Sequence, residues 1–291
     1  MQTSISNEVE SVLQSHKHKY RKRLFNYLKA LPFWLLIISF IMIILGMTLS
    51  VFFSAFGTEW FGTFLPEGYT FEWMKRAWVA YDIGSYYKIT LKIVGVATII
   101  SLILSIPSAY VLARKQFPFK DALIGFYQLP FTLPELVYAI PIASIFYSIG
   151  LAETIPGLII VNLIIGIPFS VFILIPFIES LDPRLEWAAQ SLGANKWRMF
   201  TRIVFPQLIP GITAAAINIF IRMFSTFIII LLISGPKTQT LPVMVFSVLS
   251  SAGNQPPPML DALALTLMFP LLLFAFISLW LSSLTQRRLG Q

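Results

Sequence analysis

Two ionisable side chains lie deep inside apolar stretches of the sequence, where a charge is costly and usually marks function or a buried pair. Glu135 follows Pro130 and Pro134, two prolines that disrupt helical hydrogen bonding and that a membrane helix tolerates where its backbone lines a cavity. Arg222 lies near the middle of another apolar run. An unpaired Arg222 would favour an anionic solute, and an unpaired Glu135 would favour a cationic one.

Polar residues near Arg222 recur at positions i, i+4, i+7 and i+8, which places them on one face of a helix. The residues with this spacing are Asn218, Arg222, Ser225 and Thr226. Such a stripe on an apolar helix is expected to face a pore or a partner subunit, so these residues are predicted to line a substrate path together with Glu135 and Tyr138. The alternative is a structural salt bridge between Glu135 and Arg222.

Other kinds of site chemistry find no support in the sequence. There is no cysteine, and both histidines, His16 and His18, lie among lysines in the N-terminal tail. No metal site, proton relay or nucleophile–base pair is therefore expected inside the membrane, and the chain is predicted not to be an enzyme. The phosphate-binding pattern Gly-x-x-x-x-Gly-Lys-Ser/Thr is also absent from the sequence, so any ATP must be bound by another subunit.

The composition is that of an integral membrane protein. Hydrophobic residues make up 57% of the chain and charged residues 12%, with a mean hydropathy of +0.78, whereas soluble domains are about one quarter charged. The apolar stretches are long and continuous, which favours α-helices over a β-barrel. The net charge of +8 does not indicate a nucleic-acid partner, because the basic residues flank the apolar stretches that would lie in the lipid bilayer.

The predicted fold is an all-α membrane protein with six transmembrane helices. Each apolar run has about the 20 residues that a helix needs to cross the hydrocarbon core. The predicted spans cover residues 33–56, 89–113, 122–149, 156–178, 207–233 and 259–284. They form one permease domain over residues 33–284, preceded by a tail at 1–32 without a visible cleavable signal and followed by a tail at 285–291.

Lysine and arginine fix the predicted orientation. They are concentrated in the N-terminal tail, in the loops after the second and fourth spans and at the C-terminus. Both termini are therefore predicted to be cytoplasmic, in a bacterial cytoplasmic membrane.

The outer segment 57–88 is rich in tryptophan and tyrosine and is predicted to hold a short interfacial helix near residues 71–81. The outer segment 235–258 contains a short apolar run at 241–249.

The loop at residues 182–206 carries a pattern that most loops between membrane spans lack. Asp182 before Pro183 is a strong helix start, and Gly193 suits the left-handed position that ends a helix. Asn195 is positioned to cap a second helix over residues 196–205, and Pro206 either ends that helix or begins the fifth span. A helix pair that only covers the membrane face of its own protein would show the same signals as one that docks on another protein. The spacing alone leaves both interpretations open.

This loop resembles the signature loop of ABC-importer permeases, in which Glu-Ala-Ala is followed by Gly, by an apolar residue ten positions later, and by Leu-Pro at twelve and thirteen. The chain departs from that pattern at the glutamate, where Trp187 stands one residue after Glu186, and at the leucine, which is Phe205. The resemblance implies that the ATPase-coupling residues are Glu186, Trp187, Ala188, Ala189, Leu192, Gly193, Ala194, Ile203 and Pro206.

In this family the loop docks on a cytoplasmic ATPase, so the resemblance implies several partners. They are two ATPase copies that hold ATP and Mg²⁺, a second permease that is identical or related, and an external binding protein received by segments 57–88 and 235–258.

Segments 134–140 and 234–242 resemble the polyamine-type branch of this family. That branch tends to carry an acidic pair where this chain has Ser225 and Thr226, so an organic anion such as a phosphonate is an alternative solute.

Two other classes of function remain open at this point. An ion-gradient-driven secondary transporter would need a coupling-ion site, for which Glu135 is the candidate carboxylate. A non-transporting membrane scaffold that recruits an ATPase would need only the loop at 182–206.

Overall fold

A computed structural model describes residues 32–58, 66–251 and 255–289, with side chains described up to Trp280. The predicted tail before residue 32, Trp60 and the last two residues lie outside this part of the chain. Within it, nearly all regular structure is helical, apart from an isolated bridge between Gly57 and Tyr69. The predicted all-α membrane fold is confirmed.

The helices are numbered in chain order. They are α1 Pro32–Phe56, α2 Glu72–Ala80, α3 Ile83–Arg114, α4 Lys120–Thr132, α5 Glu135–Ser148, α6 Ile155–Glu179, α7 Pro183–Ser191, α8 Lys196–Met199, α9 Phe205–Phe224, α10 Ile228–Ile233, α11 Leu241–Ser251 and α12 Pro257–Leu289. A π-helical turn, Phe200–Val204, joins α8 to α9, so that Lys196–Phe224 runs as one rod.

The centre of the molecule is a packed group of three helices, α3, α6 and α9. Small residues allow their backbones to approach closely, as is usual in membranes, where lipid offers no hydrophobic drive for helix association. Gly166 of α6 lies under the side chains of Ser101 from α3 and Met223 from α9. The hydroxyl of Ser105 in α3 donates to the carbonyl of Ile167 in α6 at 3.1 Å.

Four predicted spans correspond to single helices long and apolar enough to cross a membrane, namely α1, α3, α6 and the apolar part of α12, Pro257–Trp280. The short helix predicted near residues 71–81 is present as α2, and the apolar run at 241–249 forms α11. The backbone N–H of Leu241, the first residue of α11, donates to the hydroxyl of Thr90 in α3 at 2.8 Å. This bond fixes the start of α11 to the central helices.

The third span is not the single helix predicted over residues 122–149. It consists of α4 and α5, which meet at an angle of 98°. Pro134 has no N–H to donate to the preceding turn, and the residue before a proline avoids the helical region. Leu133 is extended accordingly, with φ −86° and ψ 139°. Pro130 remains inside α4, so only one of the two prolines breaks the helix.

The fifth span is also broken, although it was predicted as one helix over residues 207–233. α9 ends at Phe224, and α10 begins at Ile228. The hydroxyl of Ser225 donates to the carbonyl of Ile221 at 2.9 Å, and that of Thr226 to the carbonyl of Arg222 at 3.2 Å. These hydroxyls bind carbonyl groups of the last turn of α9, the part of a helix whose carbonyls are short of intrahelical partners. Ser225 and Thr226 lie after the helix and do not extend a continuous stripe.

Candidate functional site

The loop between α6 and α9 is held in shape by its own caps. The carboxylate of Asp182 accepts from the backbone N–H of Arg184 at 2.9 Å, and the amide oxygen of Asn195 accepts from that of Arg198 at 2.7 Å. Both predicted helix starts are confirmed. The two helices they begin, α7 and α8, pack on each other and on the π turn. The loop is thus a folded element with internal caps and packing.

Gly193 ends α7 in the left-handed conformation predicted for it, with φ +83°. Its N–H donates to the carbonyl of Gln190 at 3.0 Å, and the N–H of Ala194 donates to the carbonyl of Ala189 at 3.0 Å. This pair of bonds is a Schellman motif, which satisfies carbonyls that the helix end leaves open. The motif turns the chain sharply from α7 into Asn195 and α8.

The second half of the loop runs on into the fifth span. The N–H of Phe205 bonds to the carbonyl of Phe200, five residues earlier, and a π turn of this kind accommodates Pro206 without ending the rod. Pro206 therefore lies in the first turn of α9, which is the second of its two predicted alternatives. Ile203 and Ala194 pack against the hydrophobic core, whereas Pro206 is exposed.

Large apolar side chains of the loop project away from the protein. The exposed fraction is 64% for Trp187, 89% for Leu192 and 75% for Trp197. Ala188 is exposed beside Trp187, while Ala189 on the opposite face of α7 is buried. Several large apolar side chains exposed on one short loop are typical of a surface that binds another molecule. Trp187, at the position of the family's glutamate, lies on this exposed face.

Glu186 points the other way, into the protein. Its carboxylate accepts from Nε of Arg114 at 2.9 Å and from the hydroxyl of Tyr110 at 2.5 Å, and both donors belong to α3. Nη2 of Arg114 also donates to the carbonyl of Leu181, between α6 and α7, at 2.7 Å. The side chains of Arg114 and Glu186 are only 14% and 10% exposed. A buried charge needs such partners, because desolvation is costly when it is unpaired.

Arg114 and Tyr110 were not among the residues predicted from the sequence. Arg114 was read only as one of the basic residues that set the orientation. Spacing along the chain cannot pair residue 114 with residue 186. The physical clue is that Glu186 stands one residue, or about 100° of helix rotation, from the family's position, so that it faces a different side of α7 and needs a partner there.

The predicted path residues gather where the third and fifth spans break. Glu135, the first residue of α5, accepts from the backbone N–H of Ile229 in α10 at 3.2 Å. The carboxylate thus binds one of the free N–H groups at the start of α10, where negative charge is favoured. Tyr138 lies about one helical turn after Glu135 in α5.

Arg222 and Glu135 do not pair with each other. Among the described residues, the ion pairs within 4.0 Å are Arg76–Glu72 and Arg114–Glu186. Arg222, Asn218 and Ser225 are exposed on the surface of the described chain, whereas Thr226 is buried. A cavity of about 410 Å³ lies beside the bend between α4 and α5, with Tyr138 in its wall. Its other lining residues are apolar or aromatic.

Comparison with known proteins identifies the family of this chain. The family described as "Binding-protein-dependent transport system inner membrane component" matches residues 97–291, which contain the loop and both broken spans. The chain belongs to this family. It is an ABC transporter permease, and its apolar helices make it a multi-pass protein of the inner membrane.

Relatives of this permease include transporters for different solutes. It is 32% identical to the diacetylchitobiose uptake system permease protein NgcG of Streptomyces coelicolor, over 57% of this chain and 55% of that protein. It is 31% identical to the sulfate transport system permease protein CysT of Escherichia coli, over 57% and 65% of the two chains. The aligned part thus spans about 55–65% of the length of these relatives.

A third relative and a solved structure cover more of their own length. The permease is 35% identical to the molybdate/tungstate transport system permease protein WtpB of Methanocaldococcus jannaschii, over 59% of this chain and 72% of that protein. Its fold is similar to a chain in the crystal structure of a bacterial ABC transporter involved in the import of the acidic polysaccharide alginate. That match has a TM-score of 0.71 at 16% identity and covers 88% and 95% of the two chains.

Proposed function

We propose that this chain is the permease subunit of an ATP-driven ABC importer and forms part of the translocation path for a small polar solute. The observation that carries the proposal is the rigidly capped loop 182–206, which presents Trp187, Leu192 and Trp197 to its surroundings in the signature register. ATP and Mg²⁺ would be bound by a cytoplasmic ATPase pair rather than by this chain. A second permease and an external binding protein would complete the assembly.

The exposed face of the loop supports ATPase docking. Its large exposed residues are apolar and lie on or directly after capped helices, and rigidly held apolar side chains suit a subunit interface. ATP-driven movement of the ATPase pair would displace the loop, and with it α6 and α9, to which it is joined on either side. Such a displacement would shift the permease between inward-open and outward-open states, which differ in their affinity for the ATPase conformations.

An anionic solute is favoured over a polyamine. Arg222 is exposed and has no acidic partner among the described residues, while the carboxylate of Glu135 is already engaged by the N–H of Ile229. The positive charge is therefore the one available to a solute. The sulfate and molybdate/tungstate permeases among the relatives are consistent with an oxyanion or organic anion. A polyamine is itself cationic, so the guanidinium of Arg222 would repel it at this point of the path.

Purification of the tagged chain from detergent, followed by mass spectrometry, tests the assembly. An ATPase subunit and a six-span partner are expected, and ATP hydrolysis by the complex should be inhibited by vanadate. Leu192→Ser should reduce ATPase recovery, because it removes an 89% exposed apolar contact without disturbing the core. Phe119→Ser, which changes a side chain 83% exposed before α4, is the matched control and should retain the ATPase.

Other outcomes would support other functions. If the chain purifies without an ATPase, and uptake responds to ionophores rather than vanadate, a secondary transporter becomes the better interpretation. An assembled complex that transports nothing would indicate a scaffold. Uptake of labelled sulfate, a phosphonate and spermidine into vesicles that contain the whole complex separates the solute classes. Uptake of spermidine alone would contradict an anionic path.

A further inference from the structure

Three helices meet at the cytoplasmic loop, but the chain joins it directly to only two. α6 enters the loop and α9 leaves it, whereas α3 ends at Arg114, far away in sequence. α7 packs on α8 and the π turn, and a cavity of about 450 Å³ lies between the end of α3 and α7. Within the described chain, the hydrogen bonds between α3 and α7 both end on Glu186. The link between these helices is thus concentrated in a few side chains.

We infer that Tyr110, Arg114 and Glu186 form a tether that makes α3 move with the coupling loop. This inference rests on the proposed function, in which the ATPase displaces the loop. Glu186 is then a positioning residue that holds α3, rather than a contact to the ATPase, and the exposed Trp187 takes the docking side of α7. Through the tether, a displacement of the loop would move α3 in addition to α6 and α9.

The chemistry of the tether suits transmission of force. Arg114 uses two different nitrogens, Nε to Glu186 and Nη2 to the carbonyl of Leu181, so one planar guanidinium joins three elements at once. Both oxygens of Glu186 are occupied by donors from α3. Charge-assisted bonds between largely buried side chains are strong and directional, so they resist both sliding and separation of the two helices.

Tyr110 also contacts the second half of the loop. Its ring packs edge-on against Phe200 of the π turn, with centroids 5.3 Å apart and planes at 75°. α3 therefore touches the loop at α7 and at the start of the fifth span. Along the rest of its length α3 packs on α6 and α9, so a displaced α3 would move with the helices that carry the broken fifth span.

Distances between spin labels test the tether directly. The chain has no native cysteine, so Gln190→Cys on α7 and Ile103→Cys on the exposed side of α3 can be labelled without other changes. Ile103 precedes Arg114 by about 16 Å of helix, at 1.5 Å per residue. In the assembled complex, the distance distribution should be narrow and the same without nucleotide and with MgATP–vanadate.

Tyr110→Phe should broaden that distribution, because it removes one hydroxyl while the ring keeps its packing on Phe200. Loss of one charge-assisted bond should shift the equilibrium from the tethered to the released state by roughly tenfold or more. Glu186→Gln should also broaden the distribution. Arg114→Lys keeps the positive charge but should broaden it as well, because an ammonium cannot reach both Glu186 and the carbonyl of Leu181. Lys115→Gln, the neighbouring exposed charge, is the control and should leave the distribution unchanged.

Two results would overturn the tether. One is a native distribution that changes between nucleotide states, which would mean that α3 and the loop move separately. The other is a narrow distribution in Tyr110→Phe and Glu186→Gln. Failure of the importer function gives a different result, because no ATPase would then co-purify. The labelled pair in the isolated chain still reports whether the three side chains hold α3 to the loop.

Discussion

At the scale of single residues, the two intramembrane charges have separate environments. Glu135 caps the start of α10 through the N–H of Ile229, and Arg222 is exposed one turn before the break in the fifth span. The carboxylate thus has a structural partner, whereas the guanidinium is available to a solute. A charge inside the membrane that is left exposed by its own chain is expected to face a partner subunit or a water-filled path.

This difference predicts how substitutions at the two positions combine. Arg222→Ala should reduce uptake of an anionic solute with little loss of stability, while Glu135→Ala should destabilise by about 1–2 kcal/mol through loss of a helix-capping acceptor. The double variant should show both defects, with no recovery. Thermal unfolding in detergent and vesicle uptake measure the two effects, with Glu135→Gln as a control that keeps an acceptor oxygen. Recovery in the double variant would instead indicate an ion pair formed during transport.

The sequence suggests candidate residues for a substrate path more readily than it predicts their arrangement. A charge in an apolar run is visible without coordinates, and so is the spacing of Asn218, Arg222 and Ser225. The spacing placed Thr226 on the same face only under the assumption of an unbroken helix, and Thr226 is in fact buried after the helix end. The acceptor role of Glu135 depends on a contact with residue 229, across 94 positions of sequence.

At the scale of elements, local signals predicted the helix ends of the loop well. Asp182, Gly193 and Asn195 act through bonds to residues two to four positions away, so their roles follow from the neighbouring sequence. Apolar length likewise located the spans. The break in the fifth span was missed because Ser225 and Thr226 are common in membrane helices, and the break is completed by an acceptor from another helix.

The Schellman turn at Gly193 makes the shape of the loop sensitive to one backbone position. Gly193→Val should disturb the turn by about 1–2 kcal/mol, because an L-residue pays this cost in the left-handed region and a β-branched one pays most. No neighbouring atom lies within 4 Å of an added Cβ, so the effect is conformational rather than steric. The variant should insert normally but lose ATPase binding and transport, as measured by co-purification and vesicle uptake.

A matched substitution separates backbone strain from loss of the glycine itself. Gly193→Asn places a side chain that tolerates the left-handed conformation at the same open position. It should retain most of the ATPase binding. Normal assembly and transport in Gly193→Val would count against a rigid loop as the docking element.

At the scale of the whole molecule, the contacts between α3 and α6 determine how many times the chain crosses the membrane. Ser105 donates a hydrogen bond to the carbonyl of Ile167, and Arg114 donates one to the carbonyl of Leu181, just after the end of α6. The residue numbers of the bonded partners therefore increase in the same direction along both helices. The two helices are therefore parallel, and both end near the loop at 182–206. In a membrane, the segment between them must return to the opposite side, so α4 and α5 together form one bent span, which gives six spans in the described part of the chain.

Labelling of single cysteines tests this topology, and the absence of native cysteine makes each introduced thiol unique. Lys115→Cys and Gln190→Cys should react with a membrane-impermeant reagent only from the cytoplasmic side, because α3 and α6 both end there. Ile149→Cys, at the exposed end of α5, should react only from outside. Ile103→Cys, in the middle of α3, should react with this impermeant reagent from neither side, because the reagent cannot enter hydrocarbon, although a small membrane-permeant spin label can reach the same thiol. If Ile149→Cys were labelled from the cytoplasm, α4 and α5 would form a re-entrant hairpin, and α6 could not run parallel to α3.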